Sequence, residues 1–418
     1  MEEPVVTENA GIYVLRWPSK ALSIRVDRLK NRHDALSGEI SVLSEQPASP
    51  GLLHQARLNL SSTAARDKLI KVLHGRWDIP DWDQIIELTC LRILQHVRCG
   101  HPIVRYADMQ TREHDLYFCQ PFLLNRQANL LYGEGGSGKS FFATYLSVLA
   151  SFGFTDPRTQ LSTMGGNVLY LDWETDEAEV SERIAGIVMG LDSERTDAGL
   201  YYRSCDLRLV DDIEAIQRIC VEQQIQLVIV DSVGLACGDV LEPAPVIEYF
   251  RALRTLHVTT LSIDHVRKNP DSGKSSAFGS VYKMNLARSI WEIRSLPGQE
   301  QDELTLGFYH RKVNHGSLHH ARGFKVSLQE GFTKFFPQDL AEVEELASGV
   351  DLKYRLYKCL VSRTLSKQEL HDILNPDNDP HGVKLDSIRK TLERNTKMFN
   401  KIGEQWGLVA HATNDLEV

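Results

Sequence analysis

The spacing of polar and apolar positions along this chain changes character several times. Between residues 11 and 60, IYVLRW, LSIRVDRL and SGEISVLSE carry β-branched and aromatic residues in partial alternation, broken at Pro18-Ser19 and Ser37-Gly38, which predicts strands. From Ser62 to His74 and from Asp81 to Val97 the spacing turns helical, as in WDQIIELTCLRILQHV. After a connector, Gln120 to Ala128, short apolar runs alternate with amphipathic stretches. An apolar strand opening at Asn129 leads through a glycine-rich turn into a helix over 139–152. NVLYLD reads as a buried strand, followed by a helix from Asp176 to Val188 with acidic residues in its first turn. Leu207 to Val210 and the helix after it lead to the apolar run QLVIVD, and a helix from Pro245 to Leu256 precedes TTLSID. Strands alternating with helices predict a parallel sheet whose C-terminal edge carries the site. RKNPDSGKSSAFGS is polar and Gly/Ser-rich, the composition of a functional loop. ARSIWEIR, LTLGFYHRKVN and ARGFKVSL then predict successive antiparallel strands, and the core closes near Pro337.

The remainder has its own signature. Leu352 to Leu360, LSKQELHDIL and LDSIRKTLERN predict three short helices, and MFNKI with WGLVA predicts a strand pair. That order is a winged-helix pattern of the helix-turn-helix class. The fold class is therefore α/β: a core over 120–340 with a mostly parallel sheet and C-terminal antiparallel strands. A β-rich α+β domain over 1–115, for oligomerisation or partner docking, precedes it, and a winged helix over 350–418 follows. The third helix of the winged helix and its exit carry Lys384, Arg389, Lys390, Arg394, Lys397 and Lys401 against Asp386 and Glu393. Arg389, Lys390 and Arg394 are thus candidate contacts to a DNA backbone. A winged helix used for protein contacts is the plainer alternative.

Composition narrows the classes. Of 418 residues 42% are hydrophobic and 25% charged, ordinary for a globular protein and enough for two or three cored domains. A net charge of −9 excludes a general polycation, so nucleic-acid contact would need local basic faces. One such cluster, Arg25, Arg28, Lys30 and Arg32, lies between two predicted strands and reads better as a solvated strand face. Seven scattered cysteines without a C-x-x-C pair predict reduced thiols rather than a disulfide frame or zinc site. The N-terminus MEEPVVTENAG has no apolar signal region, and no apolar run approaches the ~20 residues of a membrane span, so a cytoplasmic protein without a membrane partner is expected.

The chemistry concentrates in NLLYGEGGSGKSF, Asn129 to Phe141. Gly133, Gly138, Lys139 and Ser140 fit G-x-x-x-x-G-K-[ST] in the strand-loop-helix context this phosphate-binding loop requires. Gly133, Gly135, Gly136 and Gly138 allow positive φ and bring backbone N–H groups, including those of Glu134, Ser137 and Phe141, towards phosphate oxygens. The following helix presents its positive N-terminus to the same anion. Lys139 has the reach for β- and γ-phosphates, and the Ser140 hydroxyl suits Mg²⁺. QLVIVD ends in Asp231, the strand-end carboxylate that would organise the same Mg²⁺. ATP and Mg²⁺ are the expected ligands.

This set, together with VLYLDWE, SIDHVRK followed by FGS and ARS, and YHRKVNHG, resembles the RecA-type ATPases. The nearest likeness is to the RepA/DnaB-like group of hexameric helicases, over about Leu123 to Pro337. The resemblance implies that Glu174 is the base orienting the attacking water, with Asp172 its competitor, and that His265 senses the γ-phosphate. It implies that Lys312 reaches a neighbouring subunit's phosphates, although DnaB-type members carry K-x-R-N-G where this chain has Arg311-Lys312-Val313-Asn314-His315-Gly316. Arg311 or Arg288 would then supply a second charge. It implies a homo-oligomeric ring of hexamer type, with Lys268 and Lys274 of the loop 267–280 gripping single-stranded nucleic acid without an aromatic platform beyond Phe278. Two readings follow: an ATP-driven, helicase-like motor on DNA in replication or a mobile element, or an ATP-dependent switch that recruits partners through residues 1–115 or the winged helix, as in regulation or defence. A strand-exchange protein fits less well, since no filament-forming linker is evident.

Overall fold

The computed structural model describes the chain apart from residues 1–2, 10, 33–34, 78, 80, 100–102, 110–114, 193–198, 267–280, 299–301, 330, 376–381 and 410–418. It divides into two compact units, one formed by Met1–Asp115 with Asp211–Gln224 and Thr255–His257, the other by the rest.

In the first unit, β1 (Val5–Asn9), β2 (Ile12–Trp17), β3 (Leu22–Arg32), β4 (Ala35–Ser44) and β5 (Leu52–Asn59) form an antiparallel meander in chain order. Alternation puts Leu15, Trp17, Ile24, Val26, Ile40 and Val42 in the core. There they meet Leu69 and Leu73 of α1 (Thr63–Arg76) and Trp82, Ile86 and Ile93 of α2 (Trp82–Cys99). The Ser62 hydroxyl caps α1 by accepting from the Ala65 N–H at 3.3 Å. The basic cluster on β3 is not simply solvated. Arg25 bonds Asp27 at 3.1 Å and Arg28 bonds Glu39 at 2.8 Å. Arg218, Glu214 and Glu222, which lie between the core strands in sequence, belong to this unit: Arg218 bonds Asp27 at 2.6 Å, while Glu214 and Glu222 face Arg28 and Arg25. Neutralised arginines offer little to a phosphate backbone.

In the second unit, β6 (Tyr117–Cys119) and β7 (Leu123–Leu124) pair in a small hairpin. Then follow β8 (Ala128–Gly133), α3 (Lys139–Phe152), β9 (Asn167–Asp172), α4 (Glu177–Gly190), β10 (Leu200–Ser204), α5 (Leu209–Glu222), whose residues from Asp211 onward belong to the first unit, and β11 (Ile225–Asp231). α6 (Val233–Cys237), α7 (Pro243–Thr255), β12 (Thr259–His265), α8 (Val281–Leu286), β13 (Ser289–Pro297), β14 (Glu303–Val313), β15 (Arg322–Gln329) and β16 (Phe332–Pro337) complete the core. Among the described residues nine of these strands make one sheet, in the order β10-β9-β11-β12-β8-β13-β14-β15-β16. The strands from β10 through β13 run parallel to their neighbours, and β14, β15 and β16 continue the sheet antiparallel. β13 therefore pairs parallel with β8, whereas sequence pattern alone grouped it with the antiparallel set. The strand after α4 is β10, Leu200–Ser204, and Leu209 begins α5.

α3 is buried along most of its length, with Phe142 and Tyr145 among Phe122, Trp291, Phe308, Phe324 and Phe335. Full burial of one such ring contributes roughly 1.5–3 kcal/mol. α4 crosses β16 closely at Gly190, where an added Cβ would lie 1.9 Å from the Thr333 carbonyl oxygen.

Beyond the sheet, α9 (Glu344–Ala347) is followed by α10 (Leu352–Leu360), β17 (Leu365–Ser366), α11 (Lys367–Leu374), α12 (Leu385–Arg394), β18 (Phe399–Ile402) and β19 (Gln405–Leu408), with a sheet order of β17-β19-β18. Leu356, Leu370, Ile388, Leu392, Phe399 and Trp406 share a core. Ser366 and Glu369 form a capping box on α11. On α12, Arg389 bonds Asp386 at 2.6 Å and Glu393 at 3.0 Å, and Lys390 bonds Asp386 at 2.6 Å. Two of the three residues expected to meet DNA from this helix thus have their charge answered within it. Arg394 is exposed, with no ion pair to a described residue.

Candidate nucleotide site

Strand register assembles the site. Within the parallel sheet, Gly133 at the end of β8 pairs with His265 at the end of β12, and Asp231 at the end of β11 pairs with Asp172 at the end of β9. Four strand ends therefore put the glycine-rich loop, two carboxylates and a histidine on one edge.

The loop itself is shaped by its glycines. Gly136 and Gly138 take φ of +72° and +79°, the left-handed region where a side chain is strained. Gly133 has no room for a Cβ, which would lie 2.5 Å from the Ile293 carbonyl oxygen. Gly138 is the N-cap of α3, so the first N–H groups of that helix, from Lys139, Ser140 and Phe141, open towards the loop. Lys139 is buried, and its Nζ donates to the carbonyls of Gly133 at 3.1 Å and Glu134 at 2.6 Å and reaches Ser137 Oγ at 3.5 Å. Burial pushes its pKa down, and Asp231 and Glu174 pull it back up. A buried ammonium held only by neutral oxygens is well placed to be redirected to phosphate.

The three carboxylates are differently employed. Asp172 is saturated: Oδ1 accepts from the N–H groups of Glu174 at 2.9 Å and Thr175 at 3.0 Å, and Oδ2 from Thr175 Oγ1 at 2.6 Å and Tyr202 Oη at 3.2 Å. It builds the turn that carries Glu174. Asp231 accepts from the Tyr170 hydroxyl at 2.6 Å and from Ser140, and burial is the main cause of its raised pKa. The peptide joining it to Ser232 is cis. Glu174 is half-exposed, and its Oε1 accepts from Ser232 Oγ and from His265 Nε2 at 3.1 Å. A carboxylate only accepts, so Nε2 of His265 carries the proton. The His265 bond is the leading cause of a Glu174 pKa held below the usual carboxylate value.

The cations expected near the site are used otherwise. Lys312 Nζ donates to the carbonyls of Met284 at 2.7 Å, Asn285 at 2.8 Å and Ala287 at 2.7 Å, closing the end of α8. Arg311 bonds Glu292 at 2.7 Å, a buried carboxylate that also takes Arg294 at 2.8 Å. Arg288 is half-buried beside Lys312, with no side-chain hydrogen bond or ion pair to a described residue. Lys268 and Lys274 lie outside the described residues.

Three features went unread in the sequence. The Ser232 hydroxyl on Glu174 is one. Another is Lys283 of α8, fully buried and bonded to both oxygens of Asp264, next to His265, at 3.0 and 2.8 Å. The third is Arg183 of α4, whose guanidinium lies 5.0 Å over the Phe141 ring, bonds Glu179 at 2.6 Å and leaves Nη1 buried without a hydrogen-bond partner among the described residues. A lysine inside the apolar VYKMNLA, following a loop, was the one local signal among them.

The arrangement suits a nucleotide triphosphate. A family model described as an AAA domain matches residues 105–271, which takes in the loop, Asp172, Glu174, Asp231 and His265. The core is a P-loop ATPase domain. No curated protein matches the chain. Among solved structures, a KaiC-like protein from the hyperthermophilic archaeon Pyrococcus horikoshii matches 53% of this chain and 94% of its own at 14% identity, with a TM-score of 0.38. Among the described residues no helix is long and apolar enough to cross a membrane.

Mg²⁺ is implied by the ATPase core. Ser140 and Asp231, already in contact, supply the hydroxyl and carboxylate oxygens a hard cation takes. No group of three or more His, Cys, Asp or Glu is gathered to hold a metal among the described residues. When bound, it would neutralise charge on the β- and γ-oxygens.

Proposed function

We propose that this chain is a RecA-like ring ATPase that hydrolyses ATP and couples turnover to DNA. The observation that supports it best is the meeting of Glu174, Ser232 and His265 in front of the glycine-rich loop, contributed by three strands of one sheet. Backbone N–H groups of the loop and α3 hold the phosphates. Lys139 leaves the carbonyls of Gly133 and Glu134 for the β- and γ-oxygens. Ser140 and Asp231 would hold Mg²⁺. Glu174, kept ionised by its donors, accepts the proton of the attacking water through Oε2, which has no described partner. His265, bonded to Glu174, is read as the group that senses departure of the γ-phosphate.

A ring supplies what one subunit lacks. Lys312 and Arg311 are committed to helix carbonyls and to Glu292, so Arg288 is the cation with most freedom to reach a neighbour's phosphates. Such a charge in trans stabilises the transferred phosphoryl group.

The C-terminal helices and strands follow winged-helix order, and we read them as the DNA-facing element. Because Arg389 and Lys390 are paired, contact falls to Lys384, Arg394, Lys397 and Lys401, all exposed. That same pairing favours a second reading, an ATP-dependent switch that recruits a protein partner. The test is steady-state ATP turnover with and without single- and double-stranded DNA, with the particle mass measured under Mg²⁺ and a non-hydrolysable ATP analogue. A ring-sized particle stimulated several-fold by DNA supports the motor. A ring indifferent to DNA supports the switch, and a monomer under all conditions overturns the ring.

A further inference from the structure

We infer that Ser232 is a positioning residue for hydrolysis, fixing Glu174 so that one carboxylate oxygen faces the attacking water. This rests on the ATPase reading above. Ser232 follows Asp231 directly, and register brings it within reach of the neighbouring strand's turn: the Trp173 N–H donates to the Asp231 carbonyl at 2.7 Å, extending the β9–β11 ladder one residue past the last paired carboxylates. Glu174, the next residue, is thereby delivered over Ser232. The hydroxyl donates to Oε1, the same oxygen that receives His265 Nε2 at 3.1 Å. Two donors on one oxygen, one just past β11 and one at the end of β12, leave the carboxylate little freedom to rotate about its terminal torsion. Oε2 then stays turned to the water side.

Other uses of Ser232 are not evident. Its hydroxyl makes no cap on α6, although the residue stands at that helix's N-cap, and it is 1% exposed, so it does not serve solubility. The arrangement also links two functions through one peptide: the residue assigned to Mg²⁺ and the residue holding the base are adjacent in sequence.

The experiment compares the full chain with Ser232→Ala, Ser232→Thr and Ser232→Val. ATP-analogue affinity is measured by fluorescence, turnover at saturating ATP, and the unfolding midpoint as a control. We expect Ser232→Ala to bind nucleotide within about twofold of the parent while kcat falls roughly tenfold or more, as for loss of one group that orients a reacting partner. Ser232→Thr, which keeps the hydroxyl, restores most of kcat, and Ser232→Val, which keeps threonine's shape without it, does not. Parent-like kcat in Ser232→Ala, a rise in kcat, or equal recovery by Thr and Val would each overturn the assignment. A parent chain that binds but does not turn over ATP would overturn the ATPase reading itself, and this inference with it.

Discussion

Replacing Glu174 by Gln removes proton-accepting capacity with little change of shape. The carbonyl oxygen of Gln can occupy the place of Oε1 and keep the bonds from Ser232 and from His265, now 3.1 Å away. Its amide nitrogen then falls where Oε2 stood, and an amide cannot take a proton from water. The nucleotide contacts stay in place, since the hydrogen bonds of Lys139 go to Gly133, Glu134 and Ser137 and not to Glu174. General-base assistance is worth typically about 10²–10⁴-fold, so kcat should drop by that factor, some 2.7–5.5 kcal/mol of barrier, while ATP affinity stays within a few-fold. The assay is single-turnover hydrolysis beside equilibrium binding of a fluorescent ATP analogue. Turnover of Glu174→Gln within about threefold of the parent would refute the assignment. Asp172 would be a poor heir, since both its oxygens are occupied in shaping the turn.

Further outcomes follow from other contacts. His265→Ala should move the acid limb of the kcat–pH profile upward: the His265 bond is the main cause of Glu174's depressed pKa, so its loss raises that pKa and the base protonates at higher pH. An unmoved or lowered limb counts against the pairing. Lys283→Met strands Asp264 in the core, where breaking a buried pair costs about 3–5 kcal/mol, while adding Asp264→Leu should recover most of it, read as urea midpoints. Gly190→Ala should destabilise by roughly 1–3 kcal/mol by pushing α4 off β16, visible as a lower melting temperature. Arg394→Ala should weaken DNA binding at low salt more than Arg389→Ala, whose guanidinium is held by Asp386 and Glu393.

Much of this was legible from the chain because local chemistry dictates it. The glycine-lysine-serine loop fixes where α3 begins, and Gly153, with φ of +58°, fixes where it stops, so the helix falls on 139–152 as its spacing predicts. Apolar runs such as QLVIVD and TTLSID are buried on both faces and announce central strands. β10 did not announce itself: LYYRS is a sheet-edge strand with intermediate burial and no clean alternation. The pairing of Arg389 and Lys390 was open to reading, since Asp386 and Glu393 sit at i,i+3 and i,i+4 spacing where helix geometry joins them. The contacts of Glu174 were not. Its position at a strand end is a sequence feature, but which side chains touch it depends on the order β9-β11-β12-β8, and no local pattern encodes order. For the same reason Asp264 and Lys283, 19 positions apart in sequence, gave no sign of meeting.

The measurement closest to the central claim is steady-state ATP hydrolysis by the purified chain with Mg²⁺, set beside Lys139→Ala and an excess of chelator. Turnover in the parent that both treatments abolish is expected, because Lys139 is the loop's own cation and Mg²⁺ is proposed to bind through Ser140 and Asp231. Turnover that survives loss of Lys139, or a parent chain that binds no nucleotide, would contradict it.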